Sequence, residues 1–181
     1  MGVYLDRVRY YWQVPLVKFL FRFLSLGLIW FVVYHLVLEP SGVLDTWMTS
    51  GVAKVAIYFM NAFGLMIQSV TNADGSVTML LNDLNLLRIA HPCNGLELDV
   101  LFVVFVLSYG NSKLVPKVSF LIGGLIFLFF LNVLRVIALV KIQMVHPEWL
   151  DFSHKYLFTA VVYGFVLLLW WVWVERFQKQ R

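Results

Sequence analysis

The chain has 181 residues, of which 61% are hydrophobic and 13% are charged, and its formal net charge is +4. A soluble domain has about 45–50% apolar and about 25% charged residues, so this composition predicts an integral membrane protein. The basic residues are scattered and form no stripe, which argues against nucleic acid as a partner. A single cysteine excludes an intramolecular disulfide. With no low-complexity linker and no internal repeat, residues 1–181 are expected to form one membrane domain.

The N-terminal part of the chain combines cations with aromatic residues. Residues 1–15 carry Arg7 and Arg9 among tyrosines and a tryptophan, a mixture typical of the lipid headgroup layer. We therefore expect an interfacial N-terminus on the cytoplasmic side. The apolar run Leu16–Leu38 follows, and it exceeds the roughly 20 residues that a membrane span requires.

The next segment is less clearly a span. Asp45–Ser69 is apolar but is interrupted by Gly51 and Gly64, so it is predicted to be either a fifth span or a helix lying in the interface. Residues 67–91 contain a turn signal, Asn72–Gly75, between short β-like runs, and a further extended run follows. Open strand edges are not tolerated in lipid, so we predict a small β-rich hairpin outside the bilayer.

Three further apolar runs complete the predicted bundle: Leu96–Tyr109, Val118–Ile142 and Tyr156–Val174. The lysine-bearing loop 110–117 and the basic C-terminus are predicted to be cytoplasmic, as is the N-terminus, which requires an even number of crossings. The predicted fold class is therefore an all-α, multipass helical bundle in the cell membrane. It has four clear spans plus one interfacial or fifth helix, and its β-rich cap is extracytoplasmic.

The only cysteine, Cys93, follows this cap and precedes an apolar helix. Helix N-termini carry unpaired N–H groups and a partial positive charge. A thiol there is expected to have a lowered pKa and to be a better nucleophile at neutral pH. The alternative is that Cys93 is an ordinary small core residue.

Arg135 is the clearest anomaly, since it lies inside a predicted span, where a charge costs at least about 2.5–3.5 kcal/mol and indicates a functional site. Asn132 lies three residues earlier on the same helix face and could hold the guanidinium. The alternative is a structural ion pair of Arg135 with Glu97 or Asp99.

His154 lies near the start of the last span, three residues after Asp151, which could cap that helix or orient the imidazole. In the predicted topology His154, the thiol and the guanidinium reach one level near the extracytoplasmic surface. His91 and His146 are the rival histidines for this role, whereas His35 is most simply an interfacial residue.

These residue types together allow acyl transfer in a catalytic helical core over residues 92–175. Cys93 would attack a peptide carbonyl, His154 would move protons, and Arg135 would stabilise the oxyanion. Asn94, Glu97, Asn132 and Asp151 are the predicted site-supporting or substrate-binding residues. The short spacings of a zinc site are absent, so neither a metal nor another cofactor is expected.

At these positions the chain resembles the exosortase/archaeosortase family of membrane cysteine transpeptidases. The likeness lies in Cys93-Asn94-Gly95, in Asn132-Val133-Leu134-Arg135 and in His154, over roughly residues 88–165. The resemblance implies a Cys/Arg/His triad. It also implies exported substrates with a C-terminal sorting tail, which the enzyme cuts and transfers to a cell-surface acceptor such as a polysaccharide or lipid. Pro92 and the short chain depart from the family pattern and indicate a compact subfamily.

Two other functional classes stay open. The chain could be a non-enzymatic membrane subunit of an envelope polysaccharide assembly or export system, in which Arg135 pairs with Glu97. A small transporter is the third hypothesis, but the sequence lacks the repeated halves with broken helices that favour this class.

Overall fold

The structure is a computed structural model that describes residues 15–110 and 113–177. Helices account for 78% of these residues, and a three-stranded sheet lies between the second and third helices. The predicted interfacial N-terminus lies outside the described residues, except for Pro15, and so does the basic end at Lys179 and Arg181. In chain order the elements are α1 Pro15–Ser41, α2 Val43–Ala62, β1 Ile67–Thr71, β2 Val77–Leu81, β3 Leu84–Ile89, α3 Leu96–Ser108, α4 Leu114–Val145 and α5 Pro147–Arg176.

Three of these helices, α1, α4 and α5, are long and apolar enough to cross a membrane. They contain the predicted spans that begin at Leu16, Val118 and Tyr156, and each extends beyond the predicted bounds. Their length and composition indicate a membrane location.

The predicted count of four clear spans is not confirmed. The segment predicted as the second clear span, Leu96–Tyr109, forms the 13-residue helix α3. Such a helix rises about 20 Å, whereas the hydrocarbon core is about 30 Å thick. The interrupted segment Asp45–Ser69 splits into helix α2 and strand β1, and α2 is too polar to be one of the three candidate spans.

The predicted β-rich segment at 67–91 is a sheet with three strands, one more than a hairpin. All neighbours are antiparallel, with Val77 opposite both Thr71 and Ile89. Strands β2 and β3 are joined by Asn82 and Asp83, which both have positive φ. Asn and Asp tolerate that conformation better than most residues, so they form a tight two-residue turn.

Two hydrophobic clusters hold the elements together. In the first, α2 and α4 pack against one face of the sheet, and α2 contributes residues at helical spacing, such as Val52, Ala56 and Met60. In the second, α3, α4 and α5 pack around Phe102 and Trp173. Gly124 allows α4 to approach α3, because a Cβ there would lie 2.3 Å from Cζ of Phe102. The turn that carries the cysteine packs against the first cluster through Cys93.

Candidate active site

Cys93 lies in a tight connection between the sheet and the bundle. Strand β3 ends at Ile89, a 3₁₀ turn spans His91–Cys93, and α3 begins at Leu96 after Gly95, which has φ of +89°. A Cβ on Gly95 would also lie 3.1 Å from Nδ2 of Asn132. Only glycine combines this backbone conformation with so close an approach, so the turn after the cysteine is fixed by sequence.

The central contact of the site joins two residues that are 61 positions apart. Cys93 Sγ lies 3.1 Å from Nε2 of His154, and both side chains are partly buried. His154 belongs to a π-helical turn, Ser153–Leu157, inside α5, and such turns occur frequently at functional sites. A thiol within hydrogen-bonding distance of an imidazole is the arrangement that nucleophilic catalysis by cysteine requires.

Arg135 is the third residue at this level. Its charge interacts with both Cys93 and His154, and its Nε is buried without a hydrogen-bond partner among the described residues. Among the described residues, Arg135 forms no salt bridge with Glu97 or Asp99. The structural ion pair considered from the sequence is therefore not observed, and the cation faces a cavity instead.

That cavity has a volume of about 150 Å³ and lies beside the cysteine turn. Its walls come from α3, α4 and α5 and include Gly95, Arg135 and Thr159, whose hydroxyl donates to the His154 carbonyl at 3.4 Å. Glu97 is exposed and lines this cavity together with a second one of about 570 Å³ against α1. Space for a bound group is thus present on both sides of the turn.

Asn132, on α4, supports the cysteine turn. It is 4% exposed, and its Nδ2 donates to the Cys93 carbonyl oxygen at 3.3 Å. Its Oδ1 is buried and unpartnered among the described residues. An unpaired buried acceptor costs about 1–3 kcal/mol, so this oxygen is available to accept a hydrogen bond from a bound group.

A buried network that the sequence did not reveal holds Asn94. Its Nδ2 donates to Oδ1 of Asp45 at 2.9 Å, and the hydroxyl of Tyr34 donates to Oδ2 of the same carboxylate at 3.0 Å. Asn94 Oδ1 accepts the backbone N–H of Leu96 at 2.9 Å and so satisfies one of the donors that the start of α3 leaves unpaired. Asp45 and Asn94 are 4% and 2% exposed, and they tie the cysteine turn to α1 and α2.

The sheet braces the turn from the other side. The β1–β2 turn approaches so closely that a Cβ on Gly75 would lie 2.2 Å from Oγ1 of Thr46 and 3.0 Å from the ring of His91. His91 Nε2 contacts the carbonyl oxygen of Asp74. In the same turn, two hydrogen bonds from Ser76 lower the pKa of Asp74 below its usual value. His91 is thus engaged with the sheet.

The remaining predicted residues lie at the edge of the site. Asp151 accepts hydrogen bonds from Lys155 and makes none with His154 among the described residues, so its predicted role in orienting the ring is not observed. His146 and His35 are exposed, and each pairs with a nearby glutamate.

The expected lowering of the Cys93 pKa is wrong in direction. Burial raises the pKa of the thiol, and this effect exceeds the opposing effects of the Arg135 charge and a backbone hydrogen bond at Ala90. The cysteine lies in the 3₁₀ turn before α3, so it does not occupy the first turn of that helix. A raised pKa favours the protonated thiol over the thiolate.

The comparisons with known proteins add no family assignment. No protein-family model matches this sequence, and neither curated proteins nor solved structures gave a match. The resemblance to exosortases therefore rests on the residues of the cysteine turn, of α4 and of α5 alone.

Proposed function

We propose that the chain is a membrane-embedded cysteine peptidase or transpeptidase of exosortase type. The observation that supports it most is the 3.1 Å separation of Cys93 Sγ and His154 Nε2, with Arg135 as the nearby cation. These residues come from the turn before α3, from α5 and from α4, and no local sequence feature requires them to meet.

The proposed reaction begins when His154 Nε2 takes the proton of the Cys93 thiol while the sulfur attacks a peptide carbonyl carbon. The guanidinium of Arg135 stabilises the negative charge on the carbonyl oxygen. The C–N bond then breaks, and the leaving amine takes the proton from His154. A thioester is left on Cys93. Water or an incoming amine then attacks that thioester, returns a proton through His154, and releases an acid or a new amide.

The raised pKa of the thiol decides the role of the histidine in this proposal. A buried neutral thiol is a poor nucleophile until it is deprotonated. In this proposal His154 therefore acts as a general base in the attack itself.

Helix lengths support a position of the site at one membrane boundary. At about 1.5 Å rise per residue, Tyr34, Arg135 and His154 each lie about 28–35 Å from the distant ends of α1, α4 and α5. This distance matches the hydrocarbon core of about 30 Å. Lys113 and Lys117 lie at the distant end of α4 and favour a cytoplasmic location for that end. The site at the other end would then be extracytoplasmic.

We infer that α3 connects the two membrane boundaries in the same way. The ring of Tyr109, at the end of α3, lies 5.6 Å from that of Phe19 near the start of α1. The beginning of α3 lies at the level of Tyr34. Helix α3 therefore runs from the level of the site toward the cytoplasmic side, and its 13 residues are shorter than a full span.

A direct test does not require the substrate to be identified. Tagged wild-type protein is isolated from its own membranes, and neutral hydroxylamine, which cleaves thioesters, is used to release covalently bound polypeptide. We expect the wild type to release such a polypeptide and Cys93→Ala to release none, with both variants folded to the same extent by circular dichroism. An equal amount of released polypeptide from Cys93→Ala would overturn the proposal.

Replacing the cation tests the proposed role of the Arg135 guanidinium. A guanidinium that contacts an oxyanion through paired N–H groups is not replaced well by lysine. We expect Arg135→Lys to lose adduct formation although it keeps the positive charge. Undiminished adduct formation in Arg135→Lys would exclude the paired guanidinium contact with the oxyanion.

A further inference from the structure

A second, almost entirely apolar cavity lies on the face of α4 that points away from Cys93. It has a volume of about 280 Å³ and lies between the end of α2, the segment that leads to β1, and the second half of α4. Of the described residues that line it, Lys141 is the only charged one. We call it the α2–α4 groove, and its lining residues include Phe59, Phe63, Phe130, Leu134, Ile137 and Lys141.

The groove opens outward instead of into the core. Phe63 is 85% exposed and Leu134 is 61% exposed, so neither is covered by protein in the described residues. An exposed apolar surface of this kind binds either lipid or another protein. The lining distinguishes the two, because an almost entirely apolar wall suits an acyl chain and the charge of Lys141 at one end of it suits an anionic headgroup.

The position of Lys141 identifies the polar part of the occupant. It follows Arg135 by six residues on α4, about 9 Å further along the helix axis. If Arg135 lies at the hydrocarbon boundary, Lys141 lies in the headgroup layer. The groove therefore runs from acyl-chain depth at Phe130 to headgroup depth at Lys141. A lysine in that layer attracts an anionic phosphate.

We propose that the α2–α4 groove binds one anionic phospholipid, with an acyl chain against Phe130 and Leu134 and the headgroup phosphate at Lys141. This site differs from the proposed catalytic site in position and in chemistry, and it does not require the chain to be an enzyme. The lipid would pack behind the segment of α4 that carries Asn132 and Arg135.

The experiment measures lipid retention on the full-length protein. Wild type and variants are reconstituted in nanodiscs with equal amounts of phosphatidylcholine and phosphatidylglycerol, and tightly bound lipid is counted by native mass spectrometry after mild extraction. We expect the wild type to retain one phosphatidylglycerol with a roughly fivefold preference, the size of attraction expected from one lysine near an anionic headgroup.

Two variants with matched controls identify the groove. Lys141→Gln should abolish the preference for phosphatidylglycerol, whereas Lys54→Gln, at an exposed lysine of α2, should leave it unchanged. Leu134→Trp should fill the groove and remove the bound lipid altogether. Leu24→Trp, at a residue of α1 that is 66% exposed, should not. Circular dichroism verifies that each variant is folded.

Three results would overturn the proposal: equal retention of both lipids by wild type, a preference for phosphatidylglycerol unaffected by Lys141→Gln, or lipid retention unaffected by Leu134→Trp. Loss of a dimer in Leu134→Trp would show that a second copy occupies the groove. None of these results depends on adduct formation at Cys93, so the lipid site and the proposed catalytic activity can fail separately.

Discussion

The two ends of the helical bundle are built in different ways. At the end near α3's C-terminus, aromatic rings pack closely, as in the stacked pair Phe105 and Trp170 with centroids 4.1 Å apart. At the other end, buried polar side chains such as Asp45, Asn94 and Asn132 surround the cysteine turn. Apolar packing stabilises but tolerates volume-conserving substitutions, whereas a buried polar network is costly unless every member is paired. One end thus supplies stability, and the other fixes side-chain positions.

Substitution of the histidine should have the largest effect at the polar end. Loss of a general acid–base typically lowers a rate by about 10²–10⁴-fold, and we expect His154→Ala to lower thioester formation by this amount without unfolding the protein. The matched control is His146→Ala, because His146 lies on the surface beside Glu148. Adduct formation per folded molecule is the measurement. Similar losses for both variants would remove the distinction between the two histidines.

The next largest effect is expected at Asp45. This residue contacts neither the thiol nor the cavity that Arg135 lines, and it acts by positioning Asn94. Asp45→Ala removes the partner of the Tyr34 hydroxyl and leaves the buried Asn94 amide unpaired, at about 1–3 kcal/mol for that amide. We expect adduct formation to fall by a larger factor than the population of folded protein.

Rescue of the Asp45 variant separates positioning from plain stability. Asp45→Asn keeps one acceptor oxygen and should recover part of the activity, while Asp151→Ala, at an exposed carboxylate paired with Lys155, should have little effect. The readouts are the pH profile of Cys93 alkylation and thermal unfolding in detergent. An unchanged pH profile in Asp45→Ala would indicate a purely structural role.

At the aromatic end the expected effect is on stability alone. In Gly124→Ala the new Cβ meets the buried ring of Phe102, which costs about 1–3 kcal/mol, partly offset by a gain in helix propensity of about 1 kcal/mol. Gly123→Ala is the matched control, since nothing lies within 4 Å of its Cβ, and it should be stabilising. Thermal unfolding measures both. A shift in Cys93 reactivity in folded Gly124→Ala would show that the two ends are coupled.

The smallest expected effect is a change in titration. Burial raises the pKa of the Cys93 thiol, so its alkylation by iodoacetamide should increase through the alkaline range, above the ordinary pKa of a thiol. Because the Arg135 charge stabilises the thiolate and lowers this pKa, Arg135→Gln should move the midpoint to still higher pH. A midpoint that stays in place or falls would exclude the guanidinium from the neighbourhood of the sulfur.

The sequence predicted the regions that depend on local pattern. The apolar runs beginning at Leu16, Val118 and Tyr156 were recognisable because length and composition alone define a candidate span. The sheet was expected from the turn signal at Asn72–Gly75. The extended run before Cys93 is also predicted, but its pairing with β2 is not, because the turn at Asn82-Asp83 lacks the glycine that usually marks a two-residue hairpin.

The polar contacts could be predicted only in part. The positions of Cys93, Arg135 and His154 on successive helices indicated that they share a level, because helical rise is regular. Asp45 and Tyr34 gave no such signal, since their hydrogen bonds join residues far apart along the chain. The pKa of the thiol was predicted in the wrong direction, because the extent of burial depends on tertiary packing that no local pattern encodes.

The π-helical turn that carries His154 has a consequence for how this chain tolerates insertions and deletions. Such a turn contains one residue more than the regular helix on either side of it. Deleting one residue within Ser153–Leu157 would restore a regular helix, and each residue turns the chain by about 100°. The imidazole would then swing out of reach of the sulfur while the span itself stayed intact. A shortening of this turn should therefore inactivate the protein while leaving its membrane insertion unchanged.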